Sequence, residues 1–253
     1  MTQFHFNLLL GCMAAVGLSV FVALYFVQAG YGMFRTKNWG FAFSNKLGWS
    51  LMESPVFFIM LALCLCSERS FETVPFLIFL FFQIHYFNRS FVFPFLLKGK
   101  NKIPLLVVLM GVMFNVFNGF VQGYWIFYLS PADLYTVAWL KTPQFILGAL
   151  IFFLGMGVNL HSDRIIRNLR KNNANQHHFP KGGMYNYVTS ANYFGEIIEW
   201  GGFALLTWSL PGLVFFWWTC ANLVPRAHAV HKYYKSKFPH EIKAHKRVFP
   251  FIY

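Results

Sequence analysis

The sequence predicts an all-α, polytopic integral membrane protein, and three observations support that fold class. Of the 253 residues, 57% are hydrophobic and 21% are aromatic, while only 11% are charged; a typical soluble domain has about 25% charged residues. Apolar runs close to the ~20 residues that cross a bilayer recur along the whole chain. Only short polar stretches separate these runs, so residues 1–253 are expected to form a single membrane domain without a separate soluble domain.

Seven apolar stretches are expected to cross the membrane as helices. They comprise residues 4–28, 49–66, 74–93, 103–129, 143–160, 187–210 and 212–230. The first is interpreted as a retained span, because it lacks the short basic region and the small-residue cleavage site of a removable signal peptide. An odd number of spans places the two termini on opposite sides of the membrane.

The basic residues predict the orientation of these spans. All lysines and arginines except Arg69 and Lys141 fall on one side of the predicted topology. The positive-inside rule makes that side cytoplasmic, so the N-terminus is expected outside and the C-terminus in the cytoplasm. The formal net charge of +13 is therefore interpreted as a topology signal that can also attract lipid headgroups or a phosphorylated cofactor. No nucleic-acid partner is expected.

Polar residues within the second and third stretches are the first functional candidates, because a charge at bilayer depth costs at least about 2.5–3.5 kcal/mol. Glu53 lies two residues before Pro55, whose ring frees a backbone carbonyl and opens the helix locally. Tyr86 needs a buried hydrogen-bond partner, for which Glu53 on the adjacent span is a natural choice. Asn88 and Arg89 are interpreted as the point where the third span leaves the membrane.

The fourth and fifth stretches carry further polar groups. In the fourth stretch, side-chain amides recur at spacings of three and four residues, at Asn115, Asn118 and Gln122. They are interpreted either as forming hydrogen bonds between helices or as lining a cavity. The fifth ends with Asn159 and Asp163 and a run of arginines. One interpretation is a basic helix end at the membrane surface without a further role. The other is a nucleotide site, since carboxylates suit ribose hydroxyls and arginines bind phosphates. The sequence has neither a Rossmann nor a P-loop glycine motif.

The sixth stretch contains three polar residues on one helix face, at spacings of four and three: Asn192, Glu196 and Glu199. From this segment alone, hydrogen bonding between helices and a functional site are equally good interpretations. The last span ends at Arg226, followed by aromatic and basic residues. His240 and His245 are five apart without a supporting carboxylate, so no metal site is expected.

A series of motifs, taken together, resembles the steroid 5α-reductase family. They are G-Y-G at 30–32, L-M-E-S-P at 51–55, H-Y-F-N-R-S-F at 85–91, Q-G-Y at 122–124, L-G-M-G-V-N-L-H-S-D at 154–163, S-A-N-Y-F-G-E-I-I-E-W-G-G-F-A-L-L-T-W-S-L-P at 190–211, and the terminal P-F-I-Y. The resemblance extends over most of the chain in the same order, and it favours a functional site over simple interhelical bonding. The chain looks like a bacterial-type homologue.

The resemblance implies an enzyme that uses NADPH to reduce the C4–C5 double bond of a 3-oxo-Δ4 steroid arriving from the bilayer. It implies that Glu53 and Tyr86 bind the substrate ketone. It also implies cofactor-binding roles, on the cytoplasmic side, for Asn159, Asp163, Arg170, Asn192, Glu196, Arg226 and Tyr234, together with Tyr31, Lys100 and His231. The membrane would be the inner or plasma membrane in a bacterium and the endoplasmic reticulum in a eukaryote.

Other functions remain open at this point. A related membrane reductase acting on a polyprenol or an enoyl thioester would share most of these features. A membrane methyltransferase would bind S-adenosylmethionine instead. A transporter would use the intramembrane polar groups as a path, although no inverted repeat is evident. The natural substrate and the oligomeric state are not determined by the sequence.

Overall fold

A computed structural model describes residues 1–27, 30, 32–34, 39–98, 101–169, 178–242 and 244–253. This part of the chain is mostly helical. Its α-helices are α1 Gln3–Phe26, α2 Asn45–Leu65, α3 Thr73–Phe87, α4 Phe93–Leu96, α5 Leu105–Tyr124, α6 Pro143–Leu169, α7 Ala191–Thr207 and α8 Leu210–Lys237. π-helical turns at Asn88–Val92 and Trp125–Leu129 extend α3 and α5, and 3-10 turns cover Gly32–Phe34, Val137–Lys141 and Gly183–Asn186.

Within the described ranges, five helical segments are long and apolar enough to cross a membrane. They are Gln3–Phe26, Asn45–Leu65, Thr73–Leu96, Leu105–Leu129 and Pro143–Leu169. They match the first five predicted spans, and the helical continuation of the fifth beyond residue 160 agrees with the arginine-rich exit. Helices α7 and α8 coincide with the last two predicted spans, whose crossing of the membrane, like the orientation of the termini, stays a prediction.

A small two-stranded sheet departs from the all-α prediction. Strand β1, Ala42–Ser44, pairs in antiparallel fashion with β2, Lys102–Pro104. The fourth predicted span began at Ile103, but α5 begins at Leu105. Proline disfavours helical backbone at the residue before it, so Ile103 is extended and the helix starts only after Pro104.

Helices α6 and α7 approach each other at backbone distance. A Cβ atom added at Gly155 would lie 2.2 Å from the backbone nitrogen of Glu199, and one added at Gly195 would lie 2.4 Å from that of Asn159. Gly148 and Gly202, each seven residues away, meet the partner backbone equally closely. Glycine at these contacts lets the two helices pack without side chains between them, as small residues do in membrane bundles.

The antiparallel order of the helices brings the polar segments to one end of the bundle. Glu53 lies in the first half of α2, and Asp163 lies in the last two turns of α6. The first turn of α7 is held by the C-terminal segment, since the Ser190 amide donates to the Arg247 carbonyl at 3.1 Å. At the opposite end a two-residue turn, with Trp208 in a left-handed conformation, connects α7 to α8.

Candidate active site

Glu53 and Tyr86 are each held by an asparagine of α5. Asn115 donates from Nδ2 to Glu53 Oε2 at 3.2 Å and to the Met52 carbonyl at 2.7 Å. Asn118, nearly one turn later, donates from Nδ2 to the Tyr86 hydroxyl at 3.3 Å. The predicted Glu53–Tyr86 hydrogen bond is therefore wrong for the described residues, because α5 supplies the partner of each group.

The amide row of α5 thus belongs to the site as well as to the packing of the bundle. Gln122 donates to Asn118 Oδ1 at 3.4 Å and to the Pro211 carbonyl at 2.8 Å. These bonds fix the Asn118 amide so that its nitrogen faces Tyr86. Since the Tyr86 hydroxyl accepts this bond, its own proton remains free to be donated elsewhere.

Aromatic side chains form a wall around the Tyr86 ring. The ring centroid of Tyr86 lies 4.8 Å from that of Phe82 and 5.7 Å from that of Trp200. Trp200 in turn stands 4.3 Å from Phe215. These residues belong to the largest buried apolar cluster of the described chain, so the phenol projects from an environment with little water.

Arg89 lies at the centre of a charged network that joins four helical segments. Its guanidinium lies 3.4 Å from Asp163 Oδ2 on α6 and 3.7 Å from Glu196 Oε2 on α7. It also lies over the ring of Trp49 on α2, with the guanidinium carbon 5.1 Å from the centroid. The Arg89 side chain is only 13% exposed. Arg89 therefore faces the interior of the bundle through its contacts with Asp163 and Glu196, while the end of the third span at residues 88 and 89 stays a prediction.

The four predicted cofactor residues of α6 and α7 form one cluster. Asn192 donates from Nδ2 to Asp163 Oδ1 at 3.2 Å. Asn159 donates to the Asn192 carbonyl at 2.9 Å and to Glu196 Oε2 at 3.5 Å. The close glycine contacts of α6 and α7 bring these four side chains together.

Buried hydroxyl groups surround this cluster. The Tyr185 hydroxyl donates to Asn192 Oδ1 at 3.4 Å, and burial raises the pKa of Tyr185 well above its ordinary value, with the Asp163 carboxylate adding to the effect. The hydroxyls of Ser162 and Ser190 are fully buried without a hydrogen-bond partner among the described residues. Sequence reasoning had not selected these three residues, since serine and tyrosine at a span boundary are common.

The predicted cofactor residues of α8 lie beside the same region. The Arg226 guanidinium carbon lies 5.5 Å from the ring centroid of Tyr193, which follows Asn192 in sequence. His231 Nδ1 is 3.3 Å from the Thr189 hydroxyl, and Tyr234 packs in an apolar cluster that also contacts Tyr193. The remaining predicted cofactor residues, Tyr31, Lys100 and Arg170, lie outside the described residues.

A buried histidine–glutamate pair is the feature that sequence reasoning left without a role. His85 Nδ1 lies 2.7 Å from Glu199 Oε1, and the side chains are 6% and 0% exposed. An intramembrane histidine together with an intramembrane carboxylate was a usable signal, but the sequence does not tell which helices face each other.

In the part of the chain that the structure describes, no group of three or more histidine, cysteine, aspartate or glutamate side chains is arranged to hold a metal ion. The fold and site thus define a multi-pass helical membrane protein with a buried polar centre at one end of its bundle. That centre combines a phenol in an aromatic wall with a cluster of carboxylates, amides and arginine.

Comparison with known proteins assigns this architecture to a family. Residues 101–253 match the family model described as 3-oxo-5-alpha-steroid 4-dehydrogenase. The chain is 38% identical to a steroid 5-alpha-reductase of Gossypium hirsutum over 257 residues, covering 100% of this chain and 98% of the relative. It is 35% identical to a 3-oxo-5-alpha-steroid 4-dehydrogenase 1 of Bos taurus, covering 94% and 93%, and 36% identical to the human protein of the same name, covering 94% and 92%.

The chain therefore belongs to the steroid 5α-reductase family, a family of membrane oxidoreductases. The resemblance carried by the sequence motifs is confirmed.

Proposed function

We propose that the protein reduces the C4–C5 double bond of a 3-oxo-Δ4 steroid to the 5α-dihydro product with NADPH. Its relatives are named as steroid 5-alpha-reductases and as 3-oxo-5-alpha-steroid 4-dehydrogenases. The observation that carries the proposal within the site is the Tyr86 hydroxyl, which accepts from Asn118 beside a buried aromatic cluster and keeps its own proton available.

The residues around Asp163 fit a nicotinamide dinucleotide. Asp163 and Glu196 are acceptors for ribose hydroxyls, and the amides of Asn159 and Asn192 donate and accept. The buried, unpartnered hydroxyls of Ser162 and Ser190 are further groups that a polar ligand would satisfy, because buried polar groups without partners are rare. Arg226, His231 and Tyr234 lie where they could extend this surface, and we retain Tyr31, Lys100 and Arg170 as proposed contributors.

NADPH, when bound by these residues, would supply the hydride for C5 of the substrate. The π electrons of the C4–C5 double bond would then form a C3–C4 double bond, and the carbonyl π electrons would move onto the C3 oxygen, which becomes enolate-like. Tyr86 stabilises this developing charge by donating its hydroxyl proton in a hydrogen bond, which is worth more to the enolate than to the ketone. Addition of a proton at C4 restores the C3 ketone and completes the reduction.

Glu53 supports the same oxygen from the second helix. Its Oε2 atom accepts from Asn115, and Oε1 is the oxygen proposed to face the substrate ketone. In an apolar site a protonated carboxyl donates to the ketone oxygen, whereas an ionised one would repel the enolate. The surrounding rings exclude water, so both groups act without competition from solvent.

The orientation follows from the charge distribution of the loops. We propose seven membrane crossings, with the N-terminus outside and the C-terminus and cofactor site facing the cytoplasm. A soluble cofactor would then reach the cluster around Asp163 from the cytosol, while the steroid arrives through the apolar bundle from the bilayer.

The proposal is tested by following the ultraviolet absorbance of NADPH with purified protein in detergent and testosterone or progesterone as substrate. We expect steroid-dependent oxidation, and we expect Tyr86→Phe to lower kcat about 10²–10³-fold, the usual effect of losing one oxyanion donor. Glu53→Gln is expected to reduce activity as well. Tyr128→Phe and Glu68→Gln, at exposed positions of the opposite end, are the matched controls. NADPH binding without reduction of any 3-oxo-Δ4 steroid would refute the substrate, and the absence of NADPH binding would refute the reductase assignment.

A further inference from the structure

The His85–Glu199 pair is almost completely buried, and stability alone is a weak reason for burying such a pair. Both side chains lie inside the bundle, and Glu199 Oε2 has no hydrogen-bond partner among the described residues. Removing charged groups from water is costly, and a buried pair of this kind can often be replaced by apolar side chains without loss of stability. The pair therefore calls for an explanation other than stability.

Each member of the pair is next in sequence to a ring of the site wall. His85 precedes Tyr86, and Glu199 precedes Trp200. The His85 ring stands at a steep angle to both rings, with centroid distances of 5.1 Å to Tyr86 and 4.5 Å to Trp200. The bond between His85 and Glu199 thus helps to hold the rings of Tyr86 and Trp200 in contact.

The pair also connects the two halves of the proposed site. Tyr86 lies on α3, which carries the ketone-binding phenol, while Glu199 lies on α7, one turn after Glu196 of the cofactor cluster. A further polar contact to α7 comes from Arg89 in the extension of α3, which lies 3.7 Å from Glu196. His85 and Glu199 provide the shorter tie, at 2.7 Å.

We propose that Glu199 and His85 are positioning residues that fix α3 against α7, and so set the distance between the substrate's C5 atom and the hydride donor. This inference rests on the proposed function. Hydride transfer needs the reacting atoms about 3–3.5 Å apart, and a misplacement of about 1 Å can cost about 100-fold in rate. A hydrogen bond between α3, which carries Tyr86, and α7, which carries part of the cofactor cluster, directly affects that distance.

The choice of variants follows from the geometry. Asparagine at position 85 can place an amide nitrogen where His85 Nδ1 lies, so His85→Asn keeps the hydrogen bond to Glu199, whereas His85→Leu removes it. Glu199→Leu removes the bond from the other side with an apolar side chain. His5→Leu, at an exposed position of α1, is the matched control for loss of a histidine.

The experiment measures kcat, the KM for testosterone, the NADPH Kd and the Tm of each variant in detergent. It also measures the isotope effect on kcat with NADPH deuterated at the nicotinamide C4. We expect His85→Leu and Glu199→Leu to lower kcat by about 10- to 100-fold, with KM and Kd changed less than about threefold and Tm unchanged or higher. The isotope effect is expected to rise, because a misplaced hydride makes its transfer rate-limiting. His85→Asn is expected to retain most of the wild-type kcat.

Two results would overturn the inference. Variants that keep wild-type kcat and isotope effect would show that the pair does not set the reacting geometry. A fall in kcat that is matched by falls in Tm and in NADPH binding would show a structural role only. If the wild type itself reduces no 3-oxo-Δ4 steroid, the proposed function has failed, and this inference fails with it; a failure confined to the variants leaves the proposed function intact.

Discussion

Replacing Gly155 with alanine probes the contact on which the cofactor cluster depends. The added Cβ atom would lie 2.2 Å from Glu199 N, 2.6 Å from Glu199 Cα and 2.7 Å from the Gly195 carbonyl oxygen. All three are backbone atoms, so no side chain can move aside. Ordinary contact begins near 3.4 Å, and α6 must therefore move away from α7 by about 1 Å.

The cost of this movement can be bounded. Overpacking of a tight interface typically costs about 1–3 kcal/mol, while the Gly→Ala exchange itself favours a helix by about 0.5–1 kcal/mol. Gly157, two residues further along α6, has no atom within 4 Å of an added Cβ. Gly157→Ala therefore gains the helix preference without the clash, which makes it the matched control.

We expect Gly155→Ala to melt about 2–12 °C below Gly157→Ala in the same detergent, from the overpacking cost and a conversion of about 2–4 °C per kcal/mol in a chain of this size. Activity should fall about 100-fold in Gly155→Ala, because a shift of about 1 Å misplaces the cluster of α6 and α7. The assays are a thermal melt and steroid-dependent NADPH oxidation. Equal Tm and equal activity in the two variants would refute the close backbone contact.

Three further substitutions test the site. Asn118→Leu removes the donor to the Tyr86 hydroxyl and should lower kcat about 10-fold with little change in the NADPH Kd. Steady-state kinetics measures kcat, and fluorescence measures the Kd. An unchanged kcat would mean that Tyr86 does not need the hydrogen bond from Asn118. Asp163→Asn should weaken NADPH binding about 10- to 100-fold, as expected for a lost charge-assisted bond. Asp133→Asn, in the exposed loop, is the control and should leave the affinity unchanged. Equal affinities of the two variants would show that Asp163 does not bind the cofactor. Arg89→Lys should lower Tm, because a single ammonium cannot contact both carboxylates and the Trp49 ring as a guanidinium does, and an unchanged Tm would argue against the Arg89 network.

Much of the fold was predictable from local sequence, since apolar length alone fixes where a membrane helix can form. The first five spans agree with the helices of the structure to within a few residues, apart from the longer fifth helix. The start of α5 was missed by two residues. Pro104 imposes an extended backbone on Ile103, but the apolar run around both residues suggested that the helix already began there.

The partners of the site residues could not be read in the same way. Tyr86 of α3 bonds to Asn118 of α5, and sequence spacing carries no information on which helices are neighbours. The contacts of Arg89 with Asp163 and Glu196 could not be inferred from the hydrophobic pattern, which marks only where an apolar run ends. Glu196 was noted as one of three polar residues on one helix face and was given a cofactor role through the family resemblance; the structure adds that it shares Arg89 with Asp163.

Hydride transfer from NADPH to C5 of a 3-oxo-Δ4 steroid is the reaction we propose for this protein. The most direct test incubates the purified protein with testosterone and NADPH that carries deuterium at both nicotinamide C4 positions, and locates the label in the steroid by mass spectrometry and NMR. We predict one deuterium, at C5 of the 5α-dihydro product, with the C4 proton drawn from solvent. A product without deuterium at C5, or no reduced steroid while NADPH remains bound, would contradict it.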